Sequence, residues 1–492
     1  MSRLQTTFGL ALLTLGTLAV HGYHPYAEDA EIYLPGVEKM LHPQLFPAGG
    51  EFFESHAGLT LFPNLIAFSV RLTHLPLEYA VFAWHLASIF LFLLASWELT
   101  GACLETARAR WGAVALLAAL LTLPVAGTAL YILDQYLNPR NLAAFAGVFA
   151  LCRVLESKYL RAGLWLAFAA AVHPLMSWFA ASLCMLLILA EKTPLRRFRQ
   201  LQWAAGFPLT FGNFFAPPTP AYREAMRFHI SHFLPRWSWY EWLGAIAPAL
   251  IFAGYGRLAR SRRLVNLERL CFALVVYNLA YFALALAISI PDRFEPLARL
   301  QPLRSLHLVY VALIAVTGGV LAEYVLKNRV WRWIALFLPL CAGMFLAQRA
   351  LFPANAQIEW PWAKPKNQWE QAFLWIRGNT PRNARFAIDP FYMGISGEGY
   401  TGFRASAERS RLADAHKDSG AVSMFPPLAE EWWQQFQAQK NWKYFGLADF
   451  RGLGARYGID WVVIETPGVP GLLCPYRNQA VSVCRLSPET AD

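Results

Sequence analysis

Three carboxylates crowd the stretch that follows the first apolar run. Tyr23 to Pro47 reads YHPYAEDAEIYLPGVEKMLHPQLFP, with Glu28, Asp29 and Glu31 almost side by side. Carboxylates are costly next to hydrocarbon, so an acidic cluster at a membrane surface is by default a candidate functional site, suited to proton transfer. The plainer reading is a solvated acidic loop. Tyr23, His24 and Tyr26 flank the cluster, and desolvation by such neighbours raises a carboxylate pKa. If the segment after Pro25 is helical, Glu28 and Glu31 share a face and Asp29 is turned about 100° away.

Other polar residues fall in loops on the same side. The run DQYLNPRN offers Asp134 and Arg140, and His173 stands before Pro174. RFEPLARLQPLR offers Arg293, Arg299 and Arg304, and the loop at 217–242 adds His229, His232 and Arg236 among aromatic residues. Each has a structural reading. Asp134 caps a helix or pairs with Arg140, His173-Pro174 shapes a helix break, Arg304 snorkels at an interface, and Trp237 to Trp242 form an aromatic belt. The chain has no phosphate-binding GxxxxGK[ST], dinucleotide GxGxxG, HExxH or GxSxG sequence, which leaves nucleotide-driven transport, zinc proteolysis and serine hydrolysis without support. No cysteine spacing suits zinc.

Composition dictates the elements that position these residues. The chain is 56% hydrophobic and 15% charged, with a mean hydropathy of +0.33, against about 25% charged for soluble domains. Apolar segments at 4–21, 78–99, 111–131, 141–155, 162–172, 175–190, 202–216, 243–259, 269–290, 305–326 and 331–350 predict a polytopic α-helical membrane protein of about 11 transmembrane helices. The first segment reads as an uncleaved span, because the small-residue cleavage pattern around His21-Gly22 is poor. The segments at 162–172 and 175–190 read as two short helices meeting at the outer side; one kinked helix is the alternative. With the N-terminus inside, the inner loops then carry about twice the Lys and Arg of the outer loops. The net charge of +11 is thereby an inner-leaflet feature, with no nucleic acid needed to explain it.

Residues 1–353 thus form a membrane domain with a first outer loop at 22–77, and 354–492 a polar, Trp-rich α/β domain on the outer side. Its predicted elements are helices at 369–378 and 447–457 and strands at 384–388, 461–464 and 480–486. Cys474 and Cys484 lie in this domain, and an oxidising compartment permits a disulfide between them. The other cysteines read as apolar packing residues.

This outline, with YHPYAEDAEIYLP (23–35), LDQYLNPRNLA (133–143), AVHPLMSW (171–178), LQPLRSLHL (300–308) and WEQAFLWIRGNTPRNARF (369–386), resembles the GT-C class of polyprenyl-phosphate-sugar-dependent membrane glycosyltransferases, in a bacterial branch. The resemblance implies transfer of a sugar from a polyprenyl-phosphate donor to a glycan, lipid or protein acceptor at the outer face of the bacterial inner membrane. It implies that an Asp or Glu early in the first outer loop is the catalytic carboxylate, a role that carries best to Asp29, with Glu28 the near alternative. Asp134, Arg140, His173, Arg304 and His24 are the candidate substrate-binding residues. Arg304 suits a phosphate leaving group, which Arg binds bidentately. A divalent cation, Mg or Mn, is a possible cofactor. Several members carry a second, paired acidic motif; here Asp134 stands alone, so no metal ligands are assigned. The alternative function is a membrane scaffold or transporter subunit that binds a partner through its outer domain. The discriminator is whether Asp29, Asp134, His173 and Arg304 converge on one cavity.

Overall fold

The computed structural model describes residues 2–192, 218–289, 297–395 and 397–486. The expected span at 202–216, the basic run at 196–199 and Arg293 lie outside the described residues.

Apolar runs become helices. α1 (Arg3–His21) starts at a reciprocal Ser2/Gln5 capping box and stops at Gly22. The first loop then folds into α2 (Ala30–Leu41), α3 (Glu51–Ala57) and α4 (Phe62–Thr73) before α5 (Leu77–Cys103). α6 (Ala107–Ala119), α7 (Pro139–Leu155), α8 (Tyr159–Val172), α9 (Pro174–Lys192), α10 (Pro220–Arg227), α11 (Trp239–Ser261), α12 (Val265–Ser289), α13 (Leu306–Leu321) and α14 (Val330–Leu351) follow. Among the described residues seven helical stretches are long and apolar enough to cross a membrane: Arg3–His21, Leu77–Cys103, Pro174–Glu191, Trp239–Ser261, Val265–Ser289, Leu297–Leu326 and Val330–Leu351.

Two expectations change here. The segments at 111–131 and 141–155 form helices of only 13 and 17 residues, below the roughly 20 that a straight span needs, while 162–172 falls in a short helix of 14 residues, as expected. The apolar run through 131 is not one helix. α6 ends ahead of Pro124, which cannot donate to a helical ladder, and Pro124 instead bridges Tyr131. The irregular chain between α6 and α7 carries Asp134. The break at His173 does occur, with Pro174 opening α9.

α7 is buried along almost its whole length and forms the centre of the bundle. α6 and α13 approach closely because glycines face each other: a Cβ on Gly112 would lie 2.4 Å from the Gly318 carbonyl oxygen. That crossing fixes α13, and with it the turn Pro302–Ser305 that carries Arg304.

The C-terminal region is an α/β layer structure. It contains α15 (Gln368–Asn379), β1 (Arg385–Ile388), α16 (Phe403–Ala407), β2 (Ser410–Arg411), α17 (Lys417–Met424), α18 (Ala429–Gln439), α19 (Leu447–Tyr457), β3 (Trp461–Glu465), β4 (Leu473–Arg477) and β5 (Val481–Arg485). The sheet order is β2-β1-β3-β5-β4. β1 pairs parallel with β2 and β3, whereas β5 pairs antiparallel with β3 and β4. Alternate residues of β3 serve opposite layers: Val463 packs with Phe373 and Ile376 of α15, Val462 and Ile464 with Phe450 and Leu453 of α19. Burial on both faces explains the unbroken apolar run at 461–464. Cys474 and Cys484 form a disulfide across β4 and β5, with S–S 2.08 Å.

This region docks on the first loop. Tyr23 bridges Ile358, Ala27 bridges Thr401, and fully buried Glu31 bonds to two arginines. The Arg411 Nε donates to its Oε1 at 2.8 Å, and the Arg404 backbone N–H to its Oε2 at 2.7 Å. Arg404 in turn holds Asp418 with two bonds, of 2.8 and 3.0 Å, and Arg411 pairs with Asp414.

Candidate functional site

The acidic cluster is built differently from the helical expectation. α2 begins only at Ala30, and Glu28 takes a left-handed conformation with φ 54°, which costs a non-glycine residue roughly 1 kcal/mol or more. Asp29 occupies the N-cap position of α2, yet its side chain makes no capping bond, forgoing a contribution of about 1 kcal/mol. Both carboxylates turn to cations instead. The Lys417 Nζ, from the start of α17, donates to Glu28 Oε2 at 2.5 Å and to Asp29 Oδ1 at 2.9 Å. The Arg140 Nη2 donates to Asp29 Oδ2 at 3.3 Å and to Asp134 Oδ2 at 2.9 Å. Charges therefore alternate along Glu28, Lys417, Asp29, Arg140 and Asp134. Glu31 points away into the docking network. Glu28 and Glu31 share no site, because the turn precedes the helix.

α7 explains the placement of Arg140 beside Asp134. The Asn138 side chain caps the helix by accepting from the Arg140 N–H, and Pro139 opens the first turn. Asn141 accepts from the Asp134 N–H at 3.3 Å and donates to the Tyr136 carbonyl at 3.0 Å. The Tyr136 hydroxyl accepts from the Asp29 N–H at 3.3 Å. One loop is thus pinned to both the central helix and the acidic turn.

Glu28, Asp29, Asp134, Tyr136, Arg140 and Lys417 line a cavity of about 680 Å³ that also receives Tyr33, His56, His173, Trp178, His229, His232, Gln301 and Arg304. Asp29, Asp134, His173 and Arg304 therefore converge, as the enzyme reading requires and a dispersed scaffold does not. Buried polar atoms in this lining, among them Thr60 Oγ1, His173 Nε2, His232 Nδ1 and Gln301 Oε1, have no hydrogen-bond partner. Arg304 is half-buried, and among the described residues no carboxylate pairs with it. An unpaired cation beside unsatisfied polar atoms suits an anionic, hydrogen-bonding ligand.

Burial alone would raise the Asp29 carboxyl, but the charges of Lys417 and Arg140 outweigh it and hold the group well below the usual carboxylate range. This reverses the expected upward shift: desolvation is present, and the two cations exceed it. Burial would likewise lower the Lys417 ammonium, but Asp29 and Glu28 hold it well above its ordinary value. Burial lowers His56 and His229 to about 4 each, so both are neutral at pH 7. Unfolded histidine titrates near 6.5, so between that pH and about 4 the unfolded chain binds more protons than the folded one. We predict that stability falls as pH drops below about 6.5 through these two groups, while the charge they give the cavity stays zero down to about pH 5. Thermal midpoints across pH 8 to 5 check this; a midpoint that rises on acidification would refute it.

His24 is the sequence candidate that the structure keeps away from the cavity. Its Nδ1 lies 3.1 Å from the Glu359 carboxylate and its ring stacks on Phe352 at 4.0 Å, so it joins the first loop to the chain entering the α/β region. Arg299 is likewise not among the cavity-lining residues. Lys417 was not anticipated. It lies in DAHKDSG, more than 380 residues along the chain from its partners, and only docking brings it to the acidic turn. His56 was missed for the same reason.

Among the described residues no group of three or more His, Cys, Asp or Glu side chains could hold a metal ion. The carboxylates that Mg or Mn would need already accept from Lys417 and Arg140. As placed, these residues do not fit a divalent cation.

No family model matches the chain, and no curated protein matches its sequence. Among solved structures it is similar to the archaeal oligosaccharyltransferase AglB from Archaeoglobus fulgidus, in complex with an inhibitory peptide and a dolichol-phosphate, with a TM-score of 0.47 and 12% identity over 94% of this chain and 70% of that one.

Proposed function

We propose that this chain is a membrane glycosyltransferase that moves a sugar from a polyprenyl-phosphate donor to an acceptor hydroxyl at the outer face of the membrane. The observation that carries the reading is the pairing, in one cavity, of an ionised carboxylate at Asp29 with an Arg304 that no described carboxylate neutralises. In an inverting transfer the acceptor oxygen bonds to the anomeric carbon as the bond from that carbon to the phosphate oxygen breaks. The phosphate leaves with the electron pair, and Arg304 stabilises its charge. The hydroxyl proton passes to Asp29, with Glu28 the alternative acceptor. A carboxylate held down by two cations is a weak base towards a free alcohol. It suffices late in the step, when the forming bond to carbon has made the hydroxyl strongly acidic. The His173 Nε2 is free to donate to the donor's phosphate or a hydroxyl oxygen, and the Gln301 Oε1 to accept from a donor hydroxyl. Helices long enough to span support a lipid-linked donor. The outer location rests on the charge asymmetry of the loops.

The test uses purified protein and a panel of labelled polyprenyl-phosphate sugars, scored for binding and transfer. Wild type should bind at least one donor. Arg304→Ala should bind it about 10–100-fold more weakly, as expected for a lost charge-assisted contact. Arg304→Lys should fall between the two, since it keeps the charge and loses the fork. Equal donor affinity in wild type and Arg304→Ala would reduce Arg304 to an interface anchor.

A further inference from the structure

We infer that the Lys417 ammonium takes the place of a divalent cation between Glu28 and Asp29, and that removing its charge opens this pair to a metal ion. Three observations carry this. The first is geometric. Nζ of Lys417 lies between Glu28 Oε2 and Asp29 Oδ1, the position from which one ion would bridge both carboxylates. The remaining Asp29 oxygen accepts from Arg140, which also holds Asp134.

The second is charge. The ionised groups lining the cavity are Glu28, Asp29 and Asp134 against Arg140, Arg304 and Lys417. The set is balanced, so no net negative field remains to draw in a dication. Mg²⁺ demands near-octahedral oxygen ligands at about 2.0–2.1 Å, and an ammonium among them supplies repulsion and no lone pair.

The third is rigidity. The Lys417 backbone is fixed at the start of α17, where Asp414 Oδ1 accepts from the N–H groups of His416, Lys417 and Asp418 at 2.8, 2.6 and 3.1 Å. Asp418 is clamped by Arg404, which is bonded to Glu31. The ammonium is delivered from a braced element, as a bound ion would be from its ligands. Lys417 is therefore a positioning residue for the acidic pair.

Mn²⁺ is the probe, titrated into the full-length purified protein and followed by loss of the free-ion paramagnetic resonance signal. Wild type should show no saturable site below about 1 mM that depends on Glu28. Lys417→Met should gain one site per chain at least about tenfold tighter, and Lys417→Met combined with Glu28→Gln should lose it again. Lys417→Arg should stay metal-free, since it restores the cation. Saturable Mn²⁺ binding to wild type that Glu28→Gln abolishes would overturn the inference. So would a Lys417→Met protein with a wild-type melting temperature and no gained site. If Lys417→Met does not fold, Lys417→Gln, which also removes the charge, is read in its place against the same outcomes. Metal binding is read without turnover, so failure of the transfer reading leaves this result standing.

Discussion

Asp29→Asn is expected to lower sugar transfer by about 10²–10⁴-fold, the usual cost of losing a general base, while donor binding stays within a few-fold of wild type. The substitution is nearly isosteric. An Asn oxygen still accepts from Lys417, but the amide cannot accept a proton and turns a donor towards Arg140. Arg140 keeps its two bonds to Asp134, at 2.9 and 3.3 Å, so the cluster retains a partner for each cation. The Asp29 side chain is 27% exposed, so the change creates no dry unpaired group. Glu28→Gln and Asp134→Asn belong in the same assay. Full turnover in Asp29→Asn with a dead Glu28→Gln would move the base by one residue. Activity in all three would end the carboxylate mechanism and return the scaffold reading.

How far the sequence reaches depends on the distance over which its signals act. The long helices of the bundle were legible because each is a local apolar run, and the break at His173-Pro174 because proline acts on its own helix; the end of α6 ahead of Pro124 was not, because the apolar run continues past it. The site was partly legible. Asp29, Asp134, Arg140, His173 and Arg304 stand out as polar residues at the ends of apolar runs, and the structure gathers them around one cavity. Lys417 and His56 do not stand out, since each lies in an ordinary polar stretch and reaches the cavity only through tertiary docking. The direction of the Asp29 shift was misjudged for the same reason: flanking aromatics are visible in the sequence, and a lysine from a distant domain is not. The turn geometry was also hidden. A helix starting at Ala30 rather than beside Pro25 decides that Glu28 joins Asp29 and that Glu31 serves the domain joint, and periodicity does not locate a helix start to that precision.

Arg404→Ala is expected to destabilise the protein by about 3–5 kcal/mol, the cost of breaking a buried ion pair by removing one partner. The side chains of Glu31, Arg404, Arg411, Asp414 and Asp418 are each at most 1% exposed. Three carboxylates face two guanidinium groups there, and the N–H groups at the start of α17 supply part of the remaining positive charge through Asp414. Without the Arg404 guanidinium, Asp418 loses both its bonds from that residue, and Glu31 keeps Arg411 and backbone donors. Arg404→Lys should rescue little, since one ammonium cannot reproduce the fork on Asp418 and reach Glu31 as well. The control is Arg260→Ala, whose pair with Glu268 is exposed, the arginine 70% so; that change should fall within about 1 kcal/mol of wild type. Because Asp418 anchors the helix that presents Lys417, Arg404→Ala should also loosen the ammonium from Glu28 and Asp29. Transfer would then fall through a residue that never touches the cavity. Chemical denaturation and limited proteolysis of the α/β region measure the first effect, and the transfer assay below the unfolding transition measures the second. A melting temperature unchanged from wild type would show that this network does not hold the domain to the first loop, and the braced geometry of Lys417 would need another source.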